Sequence, residues 1–263
     1  MEDFSWGITK HFFPKSVREN KSVDFAIGIT TYKDRFSSCL KPLLSKMRIL
    51  FPDCRIIVIA NGHYIKEEQI EYINRIEEFC SRFQNVELKT YVDQVGLSFL
   101  WNTIIKQSSC GRIFVFNDDL KVKSGFRRFI FRSGILEKQI AVINSSWSHF
   151  LISKDIIERV GWFDEGLREI GGEDDDYAAR LAISNIMIDN YITSSLGSKN
   201  RRKLNQGKIN SYGKDMAKER GGYSTVNTEY LESKWMMSDT YFEGSVYVPD
   251  RIPKFWKLKN TTK

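Results

Sequence analysis

The chain has 263 residues, is 41% hydrophobic and 28% charged, and carries a net charge of +7. That composition suits a soluble globular protein of one large domain, or a domain with an appendage. The scattered Cys39, Cys54, Cys80 and Cys110 form no Cys-x-x-Cys pair, which argues against a zinc site or a disulfide framework. No run reaches the roughly 18 apolar residues of a membrane span, and the first twenty residues lack the apolar stretch of a signal peptide. A cytoplasmic protein is expected, with peripheral membrane contact as a further expectation. The positive charge favours anionic partners; nucleic acid is not expected, because no finger spacing or basic heptad occurs.

In chain order, residues 1–22 read as an N-terminal extension. "VDFAIGITT" (23–31) reads as a buried strand, and "YKDRFSSCLKPLLSKMRILF" as a helix with Leu40, Leu43, Leu44, Met47 and Leu50 at helical spacing. "CRIIVIANG" (54–62) is a second strand ending in an Asn-Gly turn. "IKEEQIEYINRIEEFCSRF" is an amphipathic helix with Ile70, Ile73, Ile76 and Phe79 on one side. "VELKTYV" is a third strand, "GLSFLWNTIIKQSS" a helix entered from Gly96, and "GRIFVFNDDL" (111–120) a fourth strand that stops at Asn-Asp-Asp. "AVINSSWSHFLISKDIIERVGWFDEGL" mixes a strand with a helix, and "GGEDDDYAARL" opens another helix. From about residue 190 the periodicity weakens.

Strands alternating with helices predict an α/β fold with a mostly parallel central sheet and helices on both faces. Ligands of such sheets bind outside the carboxyl ends of the strands. Thr30, Thr31 and Tyr32, then Asn61 and Gly62, then Asn117, Asp118 and Asp119 all fall at that edge, so the site is expected there.

The ordered set "IGITTYKDR", "IIVIANG", "FVFNDDL" and "VGWFDEGL…GGEDDDYAARL" resembles the inverting GT-A glycosyltransferases, family-2-like nucleotide-sugar enzymes. "GWFDE" followed by "GGEDDD" also resembles the acceptor segment of galactosyltransferases of this fold. The likeness covers about residues 23–185, and "NTEYLESKW" (227–235) is similar to a segment near the end of many such enzymes. It implies a GT-A core over 23–190, with a nucleotide-binding half (23–120) and an acceptor half (121–190), followed by a basic flap and tail over 191–263. It implies transfer of a sugar from a nucleotide-diphospho-sugar donor to a saccharide or glycoconjugate acceptor.

Such a transfer needs a base for the acceptor hydroxyl and something to neutralise the departing diphosphate. The resemblance puts Asp174 at the base and Glu173 on the acceptor sugar. Acids in a helix's first turn also complement its dipole, by about 0.3–1 kcal/mol each, but four adjacent acids repel one another. "FNDDL" sits where the family keeps its metal-binding Asp-x-Asp, which makes Asp119 the expected ligand of Mn²⁺ or Mg²⁺. Asn117 departs from that pattern, and His11, His63 and His149 all precede the acidic stretch, so no later histidine assists. Thr30, Thr31, Tyr32, Arg35, Asn61, Gly96, Asn102, Asn117 and Asp118 are expected around the nucleotide sugar. Trp147, His149, Trp162, Gly172 and Glu173 are expected around the acceptor, where aromatic faces meet sugar C–H groups.

Two rival readings stand beside the transferase. One is a non-catalytic carbohydrate- or nucleotide-binding protein on the same scaffold, mildly favoured by Asn117. The other, a nucleotidyltransferase, needs a Gly-rich triphosphate loop that "ITTYKDR" lacks. In the last third, Lys199, Arg201, Arg202, Lys203 and Lys208 suggest a flap over the diphosphate. Lys254, Phe255, Trp256, Lys257 and Lys259 suggest a tail resting on an anionic membrane face.

Overall fold

The computed structural model describes residues 24–32, 35–63, 65–198, 225–236 and 257–258. The N-terminal extension, the proposed flap and nearly all of the basic tail lie outside these residues. Strand β1 (Phe25–Thr31) leads through a π-helical turn (Phe36–Leu40) into α1 (Lys41–Leu50), whose first turn is set by Pro42. Then follow β2 (Ile56–Ala60), α2 (Lys66–Cys80), β3 (Val86–Thr90), α3 (Leu97–Gln107) and β4 (Arg112–Asn117). The short β5 (Leu120–Val122) precedes α4 (Gly125–Arg132).

The chain continues through β6 (Ile140–Ile143), β7 (Ser146–Ser153), α5 (Lys154–Val160), α6 (Glu173–Ile183), β8 (Asp189–Tyr191) and β9 (Leu196–Ser198). The last described elements are α7 (Thr225–Lys234), β10 (Trp235–Met236) and β11 (Lys257–Leu258).

The central sheet has the order β3-β2-β1-β4-β7-β6-β8. β7 alone runs against the rest: it is antiparallel to both β4 and β6, while β8 is parallel to β6. The expected mostly parallel α/β architecture is what is found. β1 and β2 are buried along their whole length, because helices cover both faces. One apolar layer packs α1, α2 and α4 against one face; the other packs α3, α5 and α6 against the opposite face.

Two local readings change. In α2 the inward residues are Gln69, Tyr72, Ile76 and Phe79, whereas Ile70 is 53% exposed. Gln69 points inward because its amide donates to the Asn61 and Tyr91 carbonyls that end β2 and β3. The stretch read as strand plus helix holds a β6–β7 hairpin as well. Its two turn residues, Asn144 and Ser145, have φ of 54° and 55°, the left-handed pair of a type I′ turn. Among the described residues no helix is long and apolar enough to cross a membrane.

Candidate active site

The carboxyl ends of β1 and β4 are tied by a chain of side-chain bonds. Thr30 Oγ1 donates to Asn117 Oδ1 at 3.2 Å. Thr31 Oγ1 donates to Asp118 Oδ2 at 2.7 Å and lies 2.6 Å from the Tyr72 hydroxyl. With its single proton committed to Asp118, Thr31 accepts from Tyr72. Arg35 closes over both acids: its Nη2 is 2.8 Å from Asp118 Oδ1 and 3.5 Å from Asp119 Oδ2. Burial works against the guanidinium charge, but Asp118 and Asp119 outweigh it and hold the Arg35 pKa above its ordinary value. Burial, then the charge of Asp118, pushes the Tyr72 hydroxyl far above the usual tyrosine range, so it stays neutral. Asp118 is buried and fully engaged; Asp119 is slightly more open, with a long 3.5 Å contact from Ser198 Oγ.

The acidic stretch opens α6 after two glycines in the left-handed region, Gly171 (φ 115°) and Gly172 (φ 88°). A Cβ on Gly172 would sit 2.4 Å from Leu231 Cδ1 of α7, so the position needs glycine for space as well as for conformation. The four acids divide their work. Glu173 is buried and turns back, its Oε2 accepting from the Gly171 amide at 2.6 Å. Asp176 is fully buried and holds α7: Oδ1 accepts from Lys234 Nζ at 2.6 Å and Trp235 Nε1 at 2.9 Å, and Oδ2 from Arg180 Nε at 3.0 Å. Asp174 and Asp175 are half-buried.

Burial and the neighbouring Asp174 charge push Glu173 up to about 8. Burial, with Asp174 and Asp176, pushes Asp175 up to about 7. Burial also raises Asp174, opposed by the backbone N–H groups of Asp174 and Asp175.

The loop before α6 is anchored at the same edge of the sheet. The Leu97 amide at the start of α3 donates to Glu169 O at 3.4 Å. Asn227 of α7 accepts from the Glu169 amide at 3.1 Å and donates to Gly171 O at 2.8 Å. Asp164 accepts from Tyr230 at 2.9 Å and Lys234 at 2.6 Å. Segment 227–235, singled out in the sequence only as a tail motif, is thus what fixes the acidic turn in place.

Several expected ligand contacts are internal brackets instead. Asn61, 1% exposed, donates to Val95 O and accepts from the Val95 and Gly62 amides, leaving nothing to read a base. Gly96 lets the backbone of Leu167 approach to where a Cβ would meet its oxygen at 2.3 Å, so it packs under the loop rather than against a diphosphate. Asn102 is buried and clamps Phe163 N and O and the Glu165 carboxylate. Tyr32 is buried with its ring edge-on to His63, and offers no open face to a base.

Trp147 is 4% exposed and packs edge-on against Phe150 and Tyr177, in the core rather than on an acceptor. His149 is buried and lies opposite Phe116, on the sheet face covered by α1 and α4 and not the face covered by α6. Trp162 is 42% exposed, with Lys106 Nζ 4.9 Å over its ring. It borders an open groove of about 420 Å³ lined also by Asn102, Asp164, Glu165, Arg180 and Lys234.

Among the described residues no three acids, histidines or cysteines group closely enough to hold a metal ion. Asp118 and Asp119 nevertheless hold a cation already, the Arg35 guanidinium. A divalent cation there would draw two hard oxygens from the chain and the rest of its shell from phosphate and water.

No family model matches the chain, and no curated protein matches it by sequence. Solved structures share its fold. S. aureus TarS is 11% identical over 65% of this chain and 36% of its own, with a TM-score of 0.50. The mannosyltransferase PcManGT from Pyrobaculum calidifontis, in complex with GDP-Man and Mn²⁺, is 10% identical over 65% of this chain and 56% of its own, at 0.49. S. aureus TarS in complex with UDP is 9% identical over 61% and 64%, at 0.44. The chain spans less than two thirds of each of these chains, and the likeness to TarS at a TM-score of 0.50 is one of fold.

Proposed function

We propose that this chain is a metal-assisted glycosyltransferase that moves a sugar from a nucleotide-diphospho-sugar to a saccharide hydroxyl with inversion. The observation that supports this reading is the set of carboxylates gathered toward one edge of the sheet. A carboxylate pair already engaged with a cation ends β4, and a partly buried carboxylate, Asp174, opens a helix whose preceding loop is tied to the same edge through the Leu97 amide and Glu169 O.

Asp174 takes the proton of the acceptor hydroxyl as that oxygen bonds to the anomeric carbon, and the bond from this carbon to the phosphate oxygen breaks with its electron pair leaving on the diphosphate. Glu173, protonated below about 8, can donate a hydrogen bond to the acceptor while Asp174 accepts one. Asp119, with Asp118 beside it, would hold a divalent cation, which would supply positive charge for the leaving diphosphate. With such a cation on the two carboxylates, the Arg35 guanidinium would be free to pair with phosphate oxygens.

The test is a melting screen of UDP-, GDP- and dTDP-sugars with and without Mn²⁺. A ligand at 100 times its dissociation constant stabilises by about 2.7 kcal/mol, a readily seen shift. One donor class should raise the melting temperature in the presence of Mn²⁺. No shift with any donor would overturn the proposal, and a shift without hydrolysis or transfer would leave the non-catalytic binding protein that Asn117 favours.

A further inference from the structure

The sheet face covered by α1, α2 and α4 is divided by charge. Residues 36–52 contain Lys41, Lys46 and Arg48 and no acid; residues 120–136 contain Lys121, Lys123, Arg127, Arg128 and Arg132 and no acid. The two stretches adjoin in space. Arg127 Nη1 donates to Leu50 O at 2.7 Å and its guanidinium lies over the rings of Phe51 and Phe131, while α1 also touches β5. The neighbouring helix α2 is the opposite, exposing Glu67, Glu68, Glu71, Glu77 and Glu78. On these two adjoining stretches the cations stand without any acid between them, whereas the exposed cations of α2, Lys66 and Arg75, are interspersed with glutamates.

Apolar groups are interleaved with it. Ile49 on α1 is 73% exposed. Phe129 and Phe131 are half-buried between the arginines of α4. Phe129 packs on Tyr191, and the next residue, Ile192, is 72% exposed. Lys121 and Lys123 follow Asp119 within a few residues, so the surface borders the edge that carries the candidate site.

We infer that the α1–β5–α4 surface rests on an anionic lipid bilayer. Helices with arginines, half-buried phenylalanines and exposed isoleucines fit a headgroup layer. The arginines match lipid phosphates, and the interleaved rings and aliphatic side chains suit a lipid interface rather than a nucleic-acid backbone. The inference does not rest on the transfer chemistry, since the binding needs no donor.

Full-length protein is measured by sedimentation with phosphatidylcholine vesicles containing about one third phosphatidylglycerol. Each cation near such a surface contributes about a fivefold gain in affinity. Replacing the exposed Lys121, Lys123 and Arg128 by Ser should weaken binding on the order of 100-fold and flatten its salt dependence. Replacing the exposed Arg82, Lys89 and Arg159 by Ser removes the same charge elsewhere and should cost far less. Melting curves check that both variants are folded.

Failure of the wild type to bind anionic vesicles overturns the inference, as does equal loss in the two variants. Loss on deletion of residues 252–263 with none in the first variant assigns the contact to the tail and overturns it too. Binding to a short DNA duplex, but not to vesicles, that the first variant abolishes would identify a nucleic-acid surface instead.

Discussion

Asp176 and Lys234 lie 58 positions apart in the chain and meet at 2.6 Å beneath the helix that carries Asp174. The same Lys234 Nζ reaches Asp164 at 2.6 Å, so one ammonium ties the loop before α6, the helix itself and α7 together. The apolar part of this joint is Leu167, Ala179, Leu231 and Trp235.

Lys234→Met should therefore destabilise the protein, because it leaves the fully buried Asp176 carboxylate with one cation fewer and strips Asp164 of its own. Hydrogen bonds to charged groups are worth about 1.5–3 kcal/mol, and for a protein of this size each kcal/mol moves the melting temperature by about 2–4 °C. Calorimetry should find a loss of about 5 °C, with turnover reduced through the loosened start of α6. An unchanged melting temperature would show that the joint carries no load.

Asp174→Asn should behave in the opposite way. Melting and donor binding stay near the wild-type values, while turnover falls by about 10²–10⁴, the usual contribution of a positioned base. Steady-state transfer assays read this directly. Turnover within a factor of about three of wild type removes Asp174 from the role.

Glu173 predicts a pH dependence of stability. Its folded pKa is pushed up to about 8 by burial and by Asp174, so the folded state holds a proton that the unfolded chain releases at an ordinary carboxylate value. The stability from that proton is fully present below the unfolded value and is lost as pH rises through about 8. Asp175, pushed up to about 7, acts in the same direction. Asp164 is lowered: burial opposes its charge but Lys234 outweighs it, so its contribution is lost only on acidification and does not confuse the reading. Melting temperatures should fall from about pH 5 to about pH 8, and Glu173→Gln should flatten that slope. A Glu173→Gln curve parallel to wild type rules out a protonated Glu173.

Arg35→Met should separate the two tasks assigned to Arg35. Without the guanidinium between Asp118 and Asp119, Mn²⁺ alone should bind several-fold tighter by calorimetry. A nucleoside diphosphate presented with Mn²⁺ should bind weaker, for want of its cationic partner. Asp119→Ala should abolish the metal enhancement altogether. Mn²⁺ affinity unchanged by Arg35→Met contradicts the exchange of cations at this site.

The strands and most helices were legible because their apolar runs are long and periodic, as in "FAIGITT" and "IIVIA". The edge of the sheet was legible too, because Thr31, Asp118 and Asp119 break those runs with polar groups. What could not be read was which way a polar side chain turns. Asn102 and Asn61 occupy the right edge, yet their amides are spent on Phe163, 61 positions away, and on Val95, 34 positions away. A short amide at a strand or helix end is equally suited to a ligand or to a neighbouring backbone, and only long-range packing decides. Trp147, expected near the acceptor, closes the core instead, 4% exposed against Phe150 and Tyr177. Trp162, between Gly161 and Phe163, is the open one, 42% exposed. The division of labour among Glu173, Asp174, Asp175 and Asp176 depended on α7, which no local pattern around residue 173 announces.

That dependence sets an order of events during synthesis. Asp176, Asp164 and the Gly171 carbonyl receive partners from Lys234, Tyr230, Trp235 and Asn227, all of which leave the ribosome some fifty residues or more after the acids they hold. The first four strands can pair with one another before then, since the β3-β2-β1-β4 pairings lie within residues 25–117. A nascent chain can therefore carry four paired strands while its acidic turn is still unset. The acidic turn and the β4 edge come into register only when residue 235 has emerged, so under the proposed transfer function an incomplete chain would be inactive.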